Sequence, residues 1–398
     1  MDLSEPLVTI VLPCLNEAGS VAAVVREGLA ACVAAGISGE VIVADNGSDD
    51  GSPELARAAG ARVVDVALRG YGAALSAGFA AARADICVMG DADATYPFDR
   101  LAELVDPVVR GEADMTVGSR WAGLTAKSMP FWHRFVGTPA LTWLVRRAGG
   151  PPSLTDSQSG FRAMRRQALL DLGLQTTGME YASEMLIVAG RSGWRILEVP
   201  TGYRARVGQS KLDAFRDAWR HLRTILLLAP DLAATLPGTA LIGVGVLGVA
   251  WALVDPDIGR AGSPAWLASL LGPAALVLGV QAVLAGFLLS VSSPLARDQQ
   301  APKAERLLVS FAVAGAWALG SGLVLCGALV LSWVLGMPPP LRAVQIGLVA
   351  LVLVLVGGSA IGGALLGGLV TEGLRRYRRA PFVGHSADAA QTEDLARR

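Results

Sequence analysis

Four long stretches without a single charged residue fill the second half of this chain and limit what it can become. They span residues 232–254, 265–291, 307–337 and 343–371. Each exceeds the roughly 20 residues that a helix needs to cross the hydrocarbon core of a bilayer. Pairs such as Gly358 with Gly362 and Gly363 with Gly367, four apart, suit helices that pack closely in lipid. Composition agrees: 53% of the 398 residues are hydrophobic and 17% are charged, against about 25% charged in soluble domains. A disordered chain is excluded and a fully soluble one is disfavoured. Residues 232–371 therefore read as an all-α transmembrane domain of four helices.

The loops between these stretches set an orientation. Segment 255–264 carries one basic residue (Arg260) and 338–342 carries one (Arg342), whereas 292–306 carries three and 372–398 carries six. Cytoplasmic loops are the ones rich in Lys and Arg, so both termini and the whole N-terminal half are expected in the cytoplasm, with 372–398 a basic and then disordered tail. The start, MDLSEPLVTIVLPC, has an acidic lead and a short apolar run, unlike a signal peptide. Four cysteines without a C-x-x-C pair, and three histidines, support neither a disulfide framework nor a zinc site and fit a reducing setting. Lys and Arg total 34 against 34 Asp and Glu, so no global basic field marks a nucleic-acid binder.

Two further stretches mix aromatic and basic residues. In 129–148 these are Phe131, Trp132, Phe135 and Trp143 with His133, Arg134, Arg146 and Arg147. In 207–231, Leu212, Phe215, Trp219, Leu222 and Leu226 recur at the spacing of one helix face, with Arg216, Arg220 and Arg223 between them. Both read as helices lying at headgroup level, with His133 and His221 facing the headgroups.

Before them, short apolar runs alternate with helix-like segments: strands near 8–13, 41–44, 62–67 and 85–90, helices near 20–35, 53–59 and 71–83. That alternation implies a mostly parallel sheet with helices on both faces. Ligands of such sheets bind at the C-terminal ends of strands. There stand Pro13-Cys14-Leu15-Asn16-Glu17, Asp45-Asn46-Gly47-Ser48-Asp49-Asp50-Gly51, Arg69-Gly70-Tyr71-Gly72 and Asp91-Ala92-Asp93. No G-x-G-x-x-G follows the first strand; Gly243, Gly245 and Gly248 match it only inside the first apolar stretch, and a P-loop is missing. A dehydrogenase or P-loop kinase reading is therefore weak. Asp91 and Asp93 offer oxygens to a hard divalent cation. The spacing alone is a poor signal, since Asp255 and Asp257 repeat it; the position after an apolar strand gives it weight.

Together, VTIVLPCLNE, VIVADNGSDDGS, GYGAALSAGF, MGDADATYP and VGSR resemble the family 2 glycosyltransferases with a GT-A fold. The later DSQSGFRAMRR, GMEYASEML and GQSKL narrow the resemblance to the polyprenyl-phosphate (dolichyl-phosphate) hexose synthases. It implies an α/β architecture: a GT-A (Rossmann-like), mostly parallel sheet in a catalytic domain over 1–206, then an amphipathic juxtamembrane helix over 207–231 and the transmembrane domain. It also implies inverting, metal-dependent transfer of a single hexose from GDP-mannose or UDP-glucose to a dolichyl or undecaprenyl phosphate at the cytoplasmic leaflet.

The same resemblance assigns residues. Pro13, Asn16, Glu17, Asp45 and Asn46 surround the nucleotide, Asp45 accepting from a base N–H; Asn46 stands where many members have Asp. Gly70 and Gly72 allow close backbone approach to the donor. Asp91 and Asp93 hold Mg2+ or Mn2+, and Thr95 replaces a Gln that serves many members as a further ligand. Arg120 and Arg134 hold the acceptor phosphate, with Arg206 and Lys211 as further phosphate-binding candidates. Asp156 lines the sugar pocket, and of Glu180 and Glu184, which share a helix face, Glu184 is favoured for the sugar hydroxyls. A phosphate monoester has a second pKa of about 6, so this acceptor is an anionic nucleophile without a dedicated base. Two alternatives stay open: a processive polysaccharide synthase, whose usual Q-x-x-R-W is missing here, and an inactive membrane scaffold for lipid-linked sugar assembly.

Overall fold

Val8, Ile10, Val11 and Leu12 are fully buried, an unalternating apolar run that suits a strand covered on both faces. In the computed structural model, which describes residues 7–121, 133–207, 214–255, 262–292, 301–337 and 343–379, this run is an interior strand of a seven-stranded sheet. The strands are β1 (Val8–Cys14), β2 (Gly39–Asp45), β3 (Arg62–Asp65), β4 (Ile86–Met89), β5 (Met115–Ser119), β6 (Arg162–Arg165) and β7 (Ile196–Pro200), in the order β3-β2-β1-β4-β6-β5-β7. All pairings are parallel except those of β6, which runs against both β4 and β5.

Helices α1 (Val21–Ala34), α2 (Ser52–Ala58), α3 (Tyr71–Ala81), α4 (Leu101–Val109), α5 (Thr138–Arg147), α6 (Arg166–Asp171), α7 (Tyr181–Arg191) and α8 (Ala214–Leu228) complete this unit. α1 packs with α2 and α4, and α3 with α6 and α7. The first four strands and three helices fall where the sequence alternation puts them. Register pairs Cys14 with Asp45 and Val11 with Met89, so the C-terminal ends of β1, β2 and β4 share one edge. The chain order reverses between β1 and β4, where open α/β sheets form their ligand crevice.

α5 follows a π-helical turn, His133–Gly137. It buries Thr138, Thr142 and Val145 and exposes Trp143, Arg146 and Arg147. α8 exposes Arg216, Trp219, Arg220 and Arg223, while its buried face is His221 and Ile225, with Ala229 one turn on. The expectation that His221 faces headgroups is thus corrected: it is 6% exposed, because α8 needs a face against α7 and α5. Leu222 and Leu226 are half-buried. Phe131, Trp132 and Leu212, and the side chains of His133 and Phe215, lie outside the described residues.

The chain divides at Ala229/Pro230 into two units. The second holds α9 (Leu236–Val254), α10 (Pro264–Ser292), α11 (Ala301–Val334) and α12 (Ala343–Arg379). Each is long and apolar enough to cross a membrane. α10 packs on α9 and α12, and α12 on α11. Glycines bring these backbones together: a Cβ at Gly245 would sit 2.7 Å from the Leu276 nitrogen and 2.8 Å from the Gly272 oxygen, and one at Gly279 would sit 2.7 Å from the Gly238 oxygen. On α12, Gly363 and Gly367 pack against leucines of α10 and α11, whereas Gly358 and Gly362 face open space, so only one of the two expected pairs is a packing pair. α12 runs on to Arg379, which makes the first basic part of the expected tail helical; 380–398 lies outside the described residues.

Gly245→Leu is expected to lower stability in detergent by about 1–3 kcal/mol, the usual cost of overpacking. Gly243→Leu, where nothing lies within 4 Å, should leave the unfolding midpoint unchanged or slightly higher. Thermal melting of the two variants checks this.

Candidate active site

β4 ends beneath the Phe98 ring, where a Cβ at Gly90 would lie 3.0 Å away, and the chain turns through 91–95 with Ala94 at φ 65°. This turn places two carboxylates at the shared edge. Asp91 Oδ1 accepts from the Tyr71 hydroxyl at 3.0 Å. Asp93 Oδ1 accepts from the Thr95 backbone at 3.1 Å and the Thr95 hydroxyl at 2.6 Å. Its Oδ2 lies 3.3 Å from Arg206 Nε, and Arg206 Nη2 donates to Glu17 Oε1 at 2.9 Å. Segment 204–207 is laced along the turn by Arg204 N to Thr95 O and Val207 N to Asp93 O. Arg206, expected on phosphate, here bridges two acids. Burial, then the Asp93 charge, pushes the Asp91 carboxyl up to about 7, although Arg206 and Arg120 pull it down.

Among the described residues no three His, Cys, Asp or Glu side chains cluster as metal ligands. The pair still suits a hard divalent cation, because mutual repulsion of two neighbouring carboxylates, one of them buried, is what such a cation relieves. The Thr95 hydroxyl donates to Asp93 and so is taken up by that carboxylate.

Behind the pair, a Cβ at Gly160 would meet Tyr71 Oη at 2.9 Å, Tyr96 Oη at 3.3 Å and Asp91 Oδ1 at 3.4 Å. Tyr96 Oη also accepts from Gly160 N at 2.6 Å. Sequence reasoning missed these tyrosines and Gly160, although each lies in or beside a quoted motif. It also missed Arg162, which is fully buried with no carboxylate partner among the described residues. Arg162 donates to the carbonyls of Ser157, Ser159 and Ala182 at 2.8–2.9 Å, and burial pushes its guanidinium down to about 10.

Asp156 is fully buried. Its Oδ2 accepts from Arg120 N at 3.1 Å and Nε at 2.7 Å, its Oδ1 from Arg120 Nη2 at 2.7 Å and Gln158 N at 3.2 Å. With no exposed surface it lines no pocket; its work is to orient Arg120. That guanidinium lies over the Tyr203 ring at 5.4 Å and keeps Nη1 without an acceptor among the described residues. Burial opposes its charge, but Asp156 outweighs burial and holds it above the ordinary arginine value.

The expected nucleotide residues meet at the ends of β1 and β2. Asn16, at φ 53°, donates from N to Ser48 Oγ and accepts at Oδ1 from Asp49 N. Glu17 N donates to Ser52 Oγ, and Pro13 is the last residue but one of β1. Asp45 Oδ2 accepts from Gly47 N and Ser48 N, while among the described residues Oδ1 accepts only from Ser48 Oγ at 2.6 Å and so keeps a lone pair. Asn46 donates both amide hydrogens to Val66 O and Leu68 O and accepts from Gly70 N at 2.6 Å. It is a staple rather than a ligand, and an aspartate could not donate those two bonds.

Gly70 and Gly72 are also corrected. Their free space is taken by protein: Thr177 O lies against Gly70, at φ 132°, and a Cβ at Gly72 would meet Thr176 O at 2.7 Å. Glu184 holds that loop, accepting from Gln175 N at 2.9 Å, Thr176 N at 2.8 Å and Thr176 Oγ1 at 2.5 Å. Its oxygens serve the fold, not sugar hydroxyls. Arg134 lies over the Phe135 ring at 5.2 Å, and no described contact joins it to the acidic pair. Lys211 lies outside the described residues.

Residues 9–173 match the family described as Glycosyl transferase family 2. Over 359 residues the chain is 36% identical to the low-salt glycan biosynthesis hexosyltransferase Agl6 of Haloferax volcanii, covering 88% of this chain and 86% of that protein. The chain belongs to glycosyl transferase family 2. This glycosyltransferase is also 38% identical to a dolichyl-phosphate hexose transferase of H. volcanii, over 44% of this chain and 75% of that one. It is 30% identical to an undecaprenyl-phosphate 4-deoxy-4-formamido-L-arabinose transferase of Aeromonas hydrophila, over 60% and 73%.

Asp156→Ala leaves the Arg120 charge buried and unpaired, and should cost about 3–5 kcal/mol, read as a lowered melting temperature. A carboxyl whose pKa rises on folding holds its proton more tightly in the folded state, so its contribution is present at low pH and is lost as pH rises from 3.8 towards about 7. In metal-free buffer Asp91→Asn should therefore gain stability relative to the wild type across that window, checked by unfolding midpoints on either side of it.

Proposed function

We propose that this glycosyltransferase moves one hexose from a nucleotide-diphosphate sugar, GDP-mannose or UDP-glucose, to a polyprenyl phosphate, with inversion. The observation that carries the reading is the pair Asp91/Asp93 at the sheet edge with Arg206 and Arg120 close enough to act on its charge. Four helices able to span a membrane and relatives named for dolichyl- and undecaprenyl-phosphate acceptors support the lipid acceptor.

In this reading Asp45 Oδ1 takes the base N–H, and the 13–17 and 45–52 loops hold the nucleotide. Asp91 and Asp93 would hold Mg2+ or Mn2+, which supplies neutralisation of the departing diphosphate charge. Arg120, aimed by Asp156, offers Nη1 to the acceptor phosphate, with Arg134 and Lys211 as further cations for it. Charge-assisted bonds from arginines keep two phosphate groups close together and aligned. The acceptor oxygen is already ionised, so displacement in line at the anomeric carbon needs no side-chain base and inverts the centre. Exposed Trp143 and Trp219 with their neighbouring arginines suit headgroup contact by α5 and α8. The basic loops argue for a cytoplasmic head and termini.

Membranes incubated with radiolabelled GDP-mannose or UDP-glucose, undecaprenyl or dolichyl phosphate and Mg2+ or Mn2+ should yield a mild-acid-labile monosaccharide lipid. Polymer would mean a processive synthase, and no label with either donor an inactive scaffold. Asp93→Ala should lower transfer at least ~100-fold, in line with loss of Lewis-acid help worth several kcal/mol. Arg134→Ala should raise the acceptor KM roughly tenfold with the donor KM unchanged, the pattern of lost acceptor binding.

A further inference from the structure

A buried polar chain joins α8 to the segment that aims Arg120. His221 Nδ1 lies 2.8 Å from Ser183 Oγ on α7. Ser183 Oγ is 3.4 Å from Gln158 Nε2, which donates to Ser157 Oγ at 2.9 Å. Ser157 in turn meets Thr142 of α5, Oγ to Oγ1 at 3.0 Å and N to Oγ1 at 3.1 Å. Gln158 N bonds the same Asp156 oxygen that receives Arg120 Nη2.

Such a chain is an expensive way to fill a core. Buried polar groups stabilise less than well-packed apolar ones, and their return is a fixed arrangement. Both helices that send a polar group inward carry aromatic and basic residues on the outside: Trp219 (59% exposed) with Arg216, Arg220 and Arg223 on α8, Trp143 (54% exposed) with Arg146 and Arg147 on α5. Burial holds the His221 ring below its ordinary pKa, against the pull of Glu180 and Asp217 and together with Arg162, so a neutral ring that can either donate to or accept from Ser183 fits the site.

We propose that His221 and Ser183 are positioning residues for acceptor binding: through Gln158 and Asp156 they couple the placement of α8 to the direction of the Arg120 guanidinium. This rests on the transfer reaction proposed above. Removing the joint should loosen acceptor binding and spare donor binding, which in that reading rests on the loops after β1 and β2 and on the Asp91/Asp93 pair.

The test uses the full-length protein in micelles with undecaprenyl phosphate and whichever of GDP-mannose or UDP-glucose is turned over. Ser183→Ala and His221→Leu should each raise the acceptor KM roughly tenfold, leave the donor KM within about twofold and be non-additive when combined. His221→Asn, whose amide can stand in for Nδ1, should restore most of the loss. Hydrogen–deuterium exchange of segment 154–160 should speed up in Ser183→Ala and His221→Leu but not in His221→Asn, a readout independent of turnover. Equal rises in both KM values, additive effects, an Asn variant as impaired as Leu, or unchanged exchange in 154–160 would each overturn the coupling. A wild type that transfers no sugar defeats the proposed reaction instead, and exchange still decides the joint.

Discussion

Two acids held two residues apart at the mouth of a strand repel each other, and much of the surrounding architecture answers that repulsion. Arg206 neutralises Asp93 from one side, and the Tyr71 hydroxyl donates to Asp91 from another. Arg120 and Arg162 add positive charge from behind, one locked to Asp156, the other held by three carbonyls and the Met185 sulfur. A buried guanidinium without an acid partner is costly in isolation. Here it binds three carbonyls at once and thereby fixes the path of 157–160, which carries Gly160 to the tyrosine hydroxyls.

The reversed strand makes this possible. β1, β2, β4 and β5 all deliver the residues that follow them to one edge of the sheet. β6 runs the other way, pairing Arg162 with both Met89 and Val117, so it delivers the residues that precede it. Asp156–Gly160 therefore arrive beside Asp91 and Arg120. A fully parallel sheet would carry that segment to the opposite edge.

The sequence made some of this legible and hid the rest for identifiable reasons. Long uninterrupted apolar runs, alternating short strands and polar strand ends were enough to read the sheet, the four long helices and the acidic edge. β6 escaped because four residues, two of them arginine, show no apolar run. Asn46, Gly70, Gly72 and Glu184 stood at family positions, yet their bonds are to loops far along the chain, which local spacing does not reveal. Asp156 was recognised as important but given the wrong contact: a carboxylate that aims an arginine and one that touches a sugar look alike in a string of letters. His221 is hard to place from the sequence because its neighbours Trp219 and Arg220 face outward while it lies on the opposite, buried side of α8.

The glycine-on-backbone seam between α9 and α10 has a consequence for how this helical unit can diverge. Where two main chains approach this closely, every replacement adds bulk, so drift at Gly238, Gly245, Gly272 and Gly279 has no conservative direction. Outward-facing neighbours such as Gly243 can wander among aliphatic residues of any size. Homologous hairpins should therefore differ freely on their outward side while keeping the seam, and a helix pair transplanted without it would lose its partner rather than merely loosen.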